Sequence, residues 1–249
     1  MRARAWHDQR VRRLRTVSVA LPSRTGRHDG LADCLWLPEA APRGGVVILH
    51  GAGSAKESHH DYARVVLAAG FAAVTFDQRG HGESDGPMDG RAIDDVAQVA
   101  SLLRAGAGDR ALPVALRGSS MGGYLAIVAA AAAGARAVVA ICPAPAESLL
   151  RGLRAGRFAF DADLVALEAL LSTHDLFTAV AALEVPLLLL HAEGDEQVPV
   201  EHSRELIGSA RLPASRLIAL PGGHHRSIQH DEELQVVSVR FIQRALAGT

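Results

Sequence analysis

Residues 113–133 read PVALRGSSMGGYLAIVAAAAA, an aliphatic strand that passes directly into an aliphatic helix, with Ser119 and Ser120 set between glycines at the join. Within it, Gly118-Ser119-Ser120-Met121-Gly122 fits G-x-S-x-G, in which the glycines let a strand turn sharply into a helix and the central serine is held strained and exposed. Centring the motif on Ser119 would put Arg117 and Met121 in the glycine positions, where their side chains would crowd the turn, so Ser120 is the candidate nucleophile. The plainer alternative is a serine that merely caps the helix. A serine hydroxyl reacts only when a base takes its proton and an acid orients that base, so the remainder of the chain must supply both.

Working outward, short aliphatic runs at 45–50, 71–77, 136–142, 186–192 and 215–221 repeat the strand character of 113–119. They alternate with helix candidates at 58–69, 91–105, 121–133, 201–210 and 230–246. Unbroken apolar strands separated by amphipathic helices predict a mostly parallel sheet with right-handed crossovers and helices on both faces. Ahead of them, 15–22 and 30–38 alternate apolar and polar residues and are expected to form an antiparallel hairpin at one edge, joined by 23–30 and completing eight strands. About forty residues, 143–185, separate two of the strands, with two or three short helices where other connections have one; such an excess marks a lid or binding segment.

The 249 residues are 49% hydrophobic, enough for one α/β domain with a substantial core, here 16–249. Six arginines among the first fifteen residues read as a basic, ragged tail, 1–15. A formal net charge of −1 gives no reason to expect nucleic acid or an anionic membrane as partner. No run of about eighteen uncharged apolar residues predicts a membrane span, and no continuous apolar stretch follows the basic start as a secretory signal would require. The two cysteines, Cys34 and Cys142, form no CxxC pair and read as small buried hydrophobes, so the cytoplasm is the expected compartment.

In a doubly wound sheet, ligands bind beyond the carboxyl ends of the strands. The loop after 186–192 carries Asp195 between Glu193 and Glu196, and the loop after 215–221 carries His224 and His225. Three strand-end loops therefore offer nucleophile, acid and base in one consistent order, with Glu193, Glu196 and His224 still open as alternatives.

Four stretches together resemble the α/β-hydrolases of the small-cap, serine esterase/lipase-like, S33 serine aminopeptidase type. VVILHGAGS resembles the His-Gly segment after the third strand, FDQRGHGESDG the D-x-R-G-x-G-x-S loop, GSSMGG the nucleophile elbow, and PGGHH the P-G-x-x-H loop. The resemblance implies His225 as the base, because it follows the proline by four positions, and Asp195 as the acid of the D-x-x-V-P loop. It also implies the backbone N–H groups of Ala52 and Met121 as oxyanion donors. The expected fold is an α/β-hydrolase sheet of eight strands with an N-terminal antiparallel hairpin and a small helical cap at 143–185. The expected activity is cleavage of small to medium apolar acyl or aryl carboxylic esters through an acyl-enzyme, without cofactor. A thioesterase, amidase or lactonase using the same residues, or a non-catalytic ligand receptor, is the alternative.

Other polar clusters read as structural. Asp77, Arg79, His81 and Ser84 are expected to brace the loop after the fourth strand, and adjacent His59, His60 and Asp61 point in different directions along a helix, so no metal is expected. Gly51-x-Gly53 begins a dinucleotide-like fingerprint, but its third small position is Lys56, which excludes close helix packing, and no G-x-x-x-x-G-K-[ST] occurs. In the cap, Phe158, Phe160 and Phe177 are candidate pocket lining. Arg151, Arg154 and Arg157 are expected to form its solvated face, so that no cationic cluster calls for an anionic substrate.

Overall fold

The computed structural model describes residues 19–247. Eight strands, β1 (Arg24–His28), β2 (Leu31–Trp36), β3 (Gly45–Leu49), β4 (Ala72–Phe76), β5 (Val114–Ser119), β6 (Ala135–Ile141), β7 (Leu187–Ala192) and β8 (Arg216–Leu220), form one sheet. Its order is β1-β2-β4-β3-β5-β6-β7-β8. The β1–β2 and β2–β4 pairings are antiparallel and the rest parallel.

Both faces of β3 to β7 are covered, which is why their sequences are apolar almost without a break, while the edge strand β8 is only partly buried. Val47 and Leu49 of β3 and Leu187 and Leu189 of β7 point into one core layer, while Val46, Ile48, Leu188 and Leu190 point into the other. The first layer is closed by α2 (Ala92–Gly106), α3 (Met121–Val128) and α7 (Val200–Ile207), the second by α1 (His60–Ala68) and α8 (Glu232–Ala247). Every residue of α3 from Met121 to Ile127 is buried, so its sequence is apolar on all sides rather than along one stripe. The cap carries α4 (Ala146–Arg154), α5 (Leu164–Thr173) and α6 (Leu176–Ala182). Among the described residues no single helix is long and apolar enough to cross a membrane.

Two boundaries differ from expectation. The first hairpin strand is Arg24–His28, inside the segment expected to be its loop; 19–22 is not a strand, and the basic tail with 16–18 lies outside the described residues. Asp29 and Gly30, with φ of 50° and 81°, form the two-residue turn that fits the twist of adjacent strands. All five residues of β1 are exposed, so it has no apolar alternation by which to be recognised. Second, α3 stops at Val128 instead of running to 133, and the chain closes an Ala135 N–H to Ala130 carbonyl bond of 2.9 Å and turns into β6 through Gly134 at φ 57°.

Candidate active site

Ser120 stands at the junction of β5 and α3 with φ 55° and ψ −116°, a conformation that costs a non-glycine residue about 1–3 kcal/mol and persists only when its surroundings impose it. Three bonds do so. The Ser120 N–H donates to the Ile141 carbonyl (2.8 Å), and the Ser120 carbonyl accepts from Tyr124 (3.0 Å) and Ala144 (3.2 Å). A Cβ on Gly118 would lie 1.9 Å from the Gly122 carbonyl oxygen, and one on Gly122 would lie 2.5 Å from the carbonyl oxygens of Leu49 and His50. Both glycines are therefore required by backbone approach, and the second seats α3 directly on the end of β3.

The loop leaving β3 is held by His50, which is fully buried. Its Nε2 accepts the Gln78 N–H (3.0 Å), which leaves the ring proton on Nδ1 to donate to the Gly51 carbonyl (2.8 Å). Gln78 Nε2 in turn donates to the His50 carbonyl (2.6 Å). Burial, with repulsion from nearby His81, pushes the His50 pKa down to about 4. In the turn that follows, Gly53 donates to His81 Nε2 (3.1 Å) and Ser54 to the Gly51 carbonyl (3.2 Å). Among the described residues no acceptor meets the Ala52 N–H between them. Met121, as the first residue of α3, has one of the amides that a helix leaves without an internal acceptor.

Asp195 and His225 meet although 30 residues separate them, because their loops leave the adjacent strands β7 and β8. His225 Nδ1 lies 2.7 Å from Asp195 Oδ2. The other carboxylate oxygen accepts the Gln197 (2.8 Å) and Val198 (2.9 Å) amides. Burial opposes the Asp195 charge, but hydrogen bonds from His191, His225 and these two amides outweigh it and hold the carboxyl well below the usual carboxylate range. The alternatives separate: Glu193 pairs with Arg204, Glu196 borders the cavity without an ion pair, and the His224 ring Nδ1 accepts the Arg226 amide (3.4 Å).

A cavity of about 870 Å³ joins these parts. Ser119, Ser120, Ala52 and His225 border it, as do Leu149 and Phe158 of the cap. Ser120 has no side-chain hydrogen bond to His225 in this structure; catalytic contacts of this kind often tighten only when substrate is present.

Two neighbours of Asp195 were not placed beside it by the sequence reading, which expected Cys142 only as a small buried residue, as it is, and did not single out His191. His191, fully buried at the end of β7, has Nε2 3.3 Å from Asp195 Oδ2 and 2.9 Å from the Val198 carbonyl, while its Nδ1 accepts from Ser203 (2.7 Å). Cys142 follows β6 with φ 43°, its sulfur within 4.8 Å of the ligand atoms of His191 and Asp195, and burial pushes its thiol far up. This trio has metal-ligand residue types, but His191 Nε2 faces two acceptors, the Val198 carbonyl and Asp195, and carries the proton they share, and a protonated nitrogen offers no lone pair. A histidine closing an otherwise aliphatic strand, LLLLH, was the available signal.

Arg117 is likewise recognisable only as an arginine within an apolar strand. Its guanidinium is buried 3.9 Å above the Tyr62 ring, donates to the Gln229 carbonyl (3.0 Å) and contacts His59 Nδ1 (3.2 Å), with no carboxylate partner. The turn holding Gln229 follows the His225 loop, so β5 braces that loop from below as well as carrying the elbow.

The expected brace after β4 is present. Asp77 accepts from the Lys56 amide (2.8 Å), the Lys56 ammonium (2.8 Å) and the Glu83 amide (2.9 Å). Arg79 pairs with Asp95 (3.0 Å), Ser84 donates to the Asp77 carbonyl (2.5 Å), and His81 stacks on Phe160 at 4.2 Å. His60 packs on Trp36, and Asp61 accepts from His230 (2.8 Å). In the cap, Phe158 borders the cavity, Phe160 fills an apolar seam beneath it, and Phe177 packs edge-on against His202.

Arg151, Arg154 and Arg157 are all exposed, as expected of a solvated face, but the expectation that they form no cationic cluster at the site needs correction. Arg154 turns away to Glu168 (2.8 Å), but Arg151 and Arg157 border the cavity. Helical spacing does not extend to Arg157, because α4 ends at Arg154 and Gly156, at φ 60°, redirects the chain.

The strand order, the strained serine between β5 and α3, and helices on both faces decide the architecture. The chain has the α/β-hydrolase fold. The profile of the serine aminopeptidase S33 family matches residues 40–159. A monoacylglycerol lipase of Mycolicibacterium smegmatis is 26% identical over 247 residues, covering 82% of this chain and 88% of that protein. A soluble variant of the Saccharomyces cerevisiae monoglyceride lipase superposes with a TM-score of 0.71 at 15% identity, over 93% of this chain and 96% of that one. The Paleococcus ferrophilus monoacylglycerol lipase gives 0.65 at 19% identity, over 88% and 99%. Among α/β-hydrolase folds, then, this chain resembles ester-cleaving ones.

Proposed function

We propose that the protein is a serine hydrolase that cleaves carboxylic esters through an acyl-enzyme, with Ser120 as nucleophile, His225 as base and Asp195 as its orienting acid. The observation that carries this reading is the 2.7 Å contact of His225 Nδ1 with a deeply ionised Asp195, beside the cavity that Ser120 borders from a strained turn. With Nδ1 protonated toward Asp195, Nε2 is free to accept the Ser120 proton as the hydroxyl oxygen attacks the ester carbonyl. The amides of Ala52 and Met121, which have no internal acceptor, would receive the developing oxyanion. The imidazolium then gives its proton to the leaving alcohol, and water activated by His225 releases the acid and regenerates Ser120. Ala144, Leu149, Phe158 and Val198 at the cavity support a small to medium apolar acyl or aryl group beside the carbonyl.

The test is Ser120→Ala, assayed with p-nitrophenyl butyrate and with a fluorophosphonate label. Loss of both turnover and label, with an unchanged unfolding transition, is the expected result; normal labelling of the variant would remove Ser120 from the mechanism. Steady release beyond one equivalent distinguishes an enzyme from a receptor that reacts once, and matched thioester and amide substrates fix the leaving-group class.

A further inference from the structure

We infer that the substrate carries, besides the scissile ester, an oxyanionic group held between Arg157 of the cap and Arg226 of the β8 loop. The inference rests on the ester-hydrolase reading above and adds a substrate class to it. Arg151, Arg157 and Arg226 all border the cavity, against Glu196 as the sole acidic side chain there among the described residues, in a chain whose overall charge is −1. Positive charge is thus concentrated where substrate would enter. Arg151 is partly committed, to Ser148 at 2.9 Å and Glu147 at 3.8 Å, but the guanidiniums of Arg157 and Arg226 have no carboxylate or hydrogen-bond partner among the described residues; only their main-chain amides are bonded, to the Gly152 carbonyl and His224 Nδ1.

The two free guanidiniums approach from different sides. Arg157 hangs from the turn after α4 next to Phe158, and Arg226 is the residue immediately after His225. A guanidinium offers a planar fork of N–H donors that matches a carboxylate or phosphate two bonds at a time. Around them, Ser148, Gln197 and Gln229 add further polar groups to the wall, so the outer cavity is suited to an anion while Leu149 and Phe158 keep the inner part apolar. A neutral, wholly apolar ester would leave both guanidiniums unused.

Two matched pairs of esters test this: p-nitrophenyl hydrogen glutarate against p-nitrophenyl pentanoate for an anion on the acyl side, and 3-butyryloxybenzoate against phenyl butyrate for one on the alcohol side. In at least one pair the anionic member should show about tenfold higher kcat/KM, as expected for one charge-assisted bond set, chiefly through KM and shrinking as salt is added. Arg157→Gln and Arg226→Gln should each reduce that preference, the double variant most. Preference for the neutral member in both pairs, or a preference unmoved by both substitutions, would overturn the inference. Should no ester be turned over, the hydrolase reading fails by itself, and calorimetric titration with glutarate, benzoate and inorganic phosphate decides the anion site: binding lost in the double variant supports it, no binding to wild type overturns it.

Discussion

A Cβ placed on Gly118 would stand 1.9 Å from the carbonyl oxygen of Gly122, so the backbone at Gly122 leaves no room for any side chain at position 118. No side-chain rotation relieves a clash with backbone. Gly118→Ala is therefore expected to destabilise the fold by about 3 kcal/mol and to abolish fluorophosphonate labelling. Ser119→Ala removes one hydroxyl beside the apex and is expected to stay within about 1 kcal/mol of wild type and keep the label. Denaturant titration and labelling of both variants check the distinction between the two serines.

Asp195→Asn should lower kcat by about 10³–10⁴ while the fold survives. The Gln197 and Val198 amides both donate to one Asp195 oxygen, so an asparagine would place its carbonyl there and turn its NH₂ toward His225. His225 Nδ1 must then accept, the proton moves to Nε2, and the base is lost in the wrong tautomer. A variant retaining a tenth or more of wild-type kcat would mean that something other than Asp195 orients His225.

Acid should weaken the fold through His50. Its pKa is pushed down to about 4 by burial, against 6.5 for the free side chain, so the unfolded chain takes up a proton that the folded one refuses. Stability is complete above pH 6.5, falls as pH drops toward 4, and the site's share of the loss is about 3 kcal/mol. Buried His59, lowered by burial and by Arg117, acts in the same direction. Asp195, whose pKa is depressed, stays ionised throughout this interval and loses its contribution only at lower pH. Unfolding measured from pH 7.5 to 4 should show His50→Gln with a shallower slope, by about one proton.

Arg117→Ala should cost about 3 kcal/mol or more, since it empties a buried site and strips Tyr62 and the Gln229 carbonyl of their partner. Arg117→Met, which restores volume without charge, should recover part of that loss, because the guanidinium has no carboxylate to offset its desolvation. Thermal melts of both variants, with kcat measured alongside, check the assignment; an alanine variant as stable as wild type would refute it.

The alternation of apolar strands and helices was readable because each β3–β7 strand answers to burial along its own length, as Val46 to Leu49 do by pointing alternately into the two core layers. Strand β1 was not, since five exposed residues leave no such trace, and the Asp29-Gly30 turn was its only marker. Ser120 could be chosen over Ser119 from local chemistry, because the turn itself demands glycine two residues to either side. Places after successive strands pointed only to the loops that carry Asp195 and His225; Glu193, Glu196 and His224 stayed open there, and the likeness of those loops to D-x-x-V-P and P-G-x-x-H singled out the two.

What the sequence determined by itself is whatever a short segment encodes: strand and helix periods, the elbow, and the order of the loops that carry Ser120, Asp195 and His225. Tertiary structure alone decided which side chains meet across those loops. It set His191 and Cys142 against Asp195, gave Arg117 to the Gln229 turn, and brought Arg157 and Arg226 to one cavity. The physical reason is that burial repeats along an element and leaves a period in the sequence, whereas contact between residues far apart depends on how strands are ordered in the sheet and where α4 ends, and no local pattern records either.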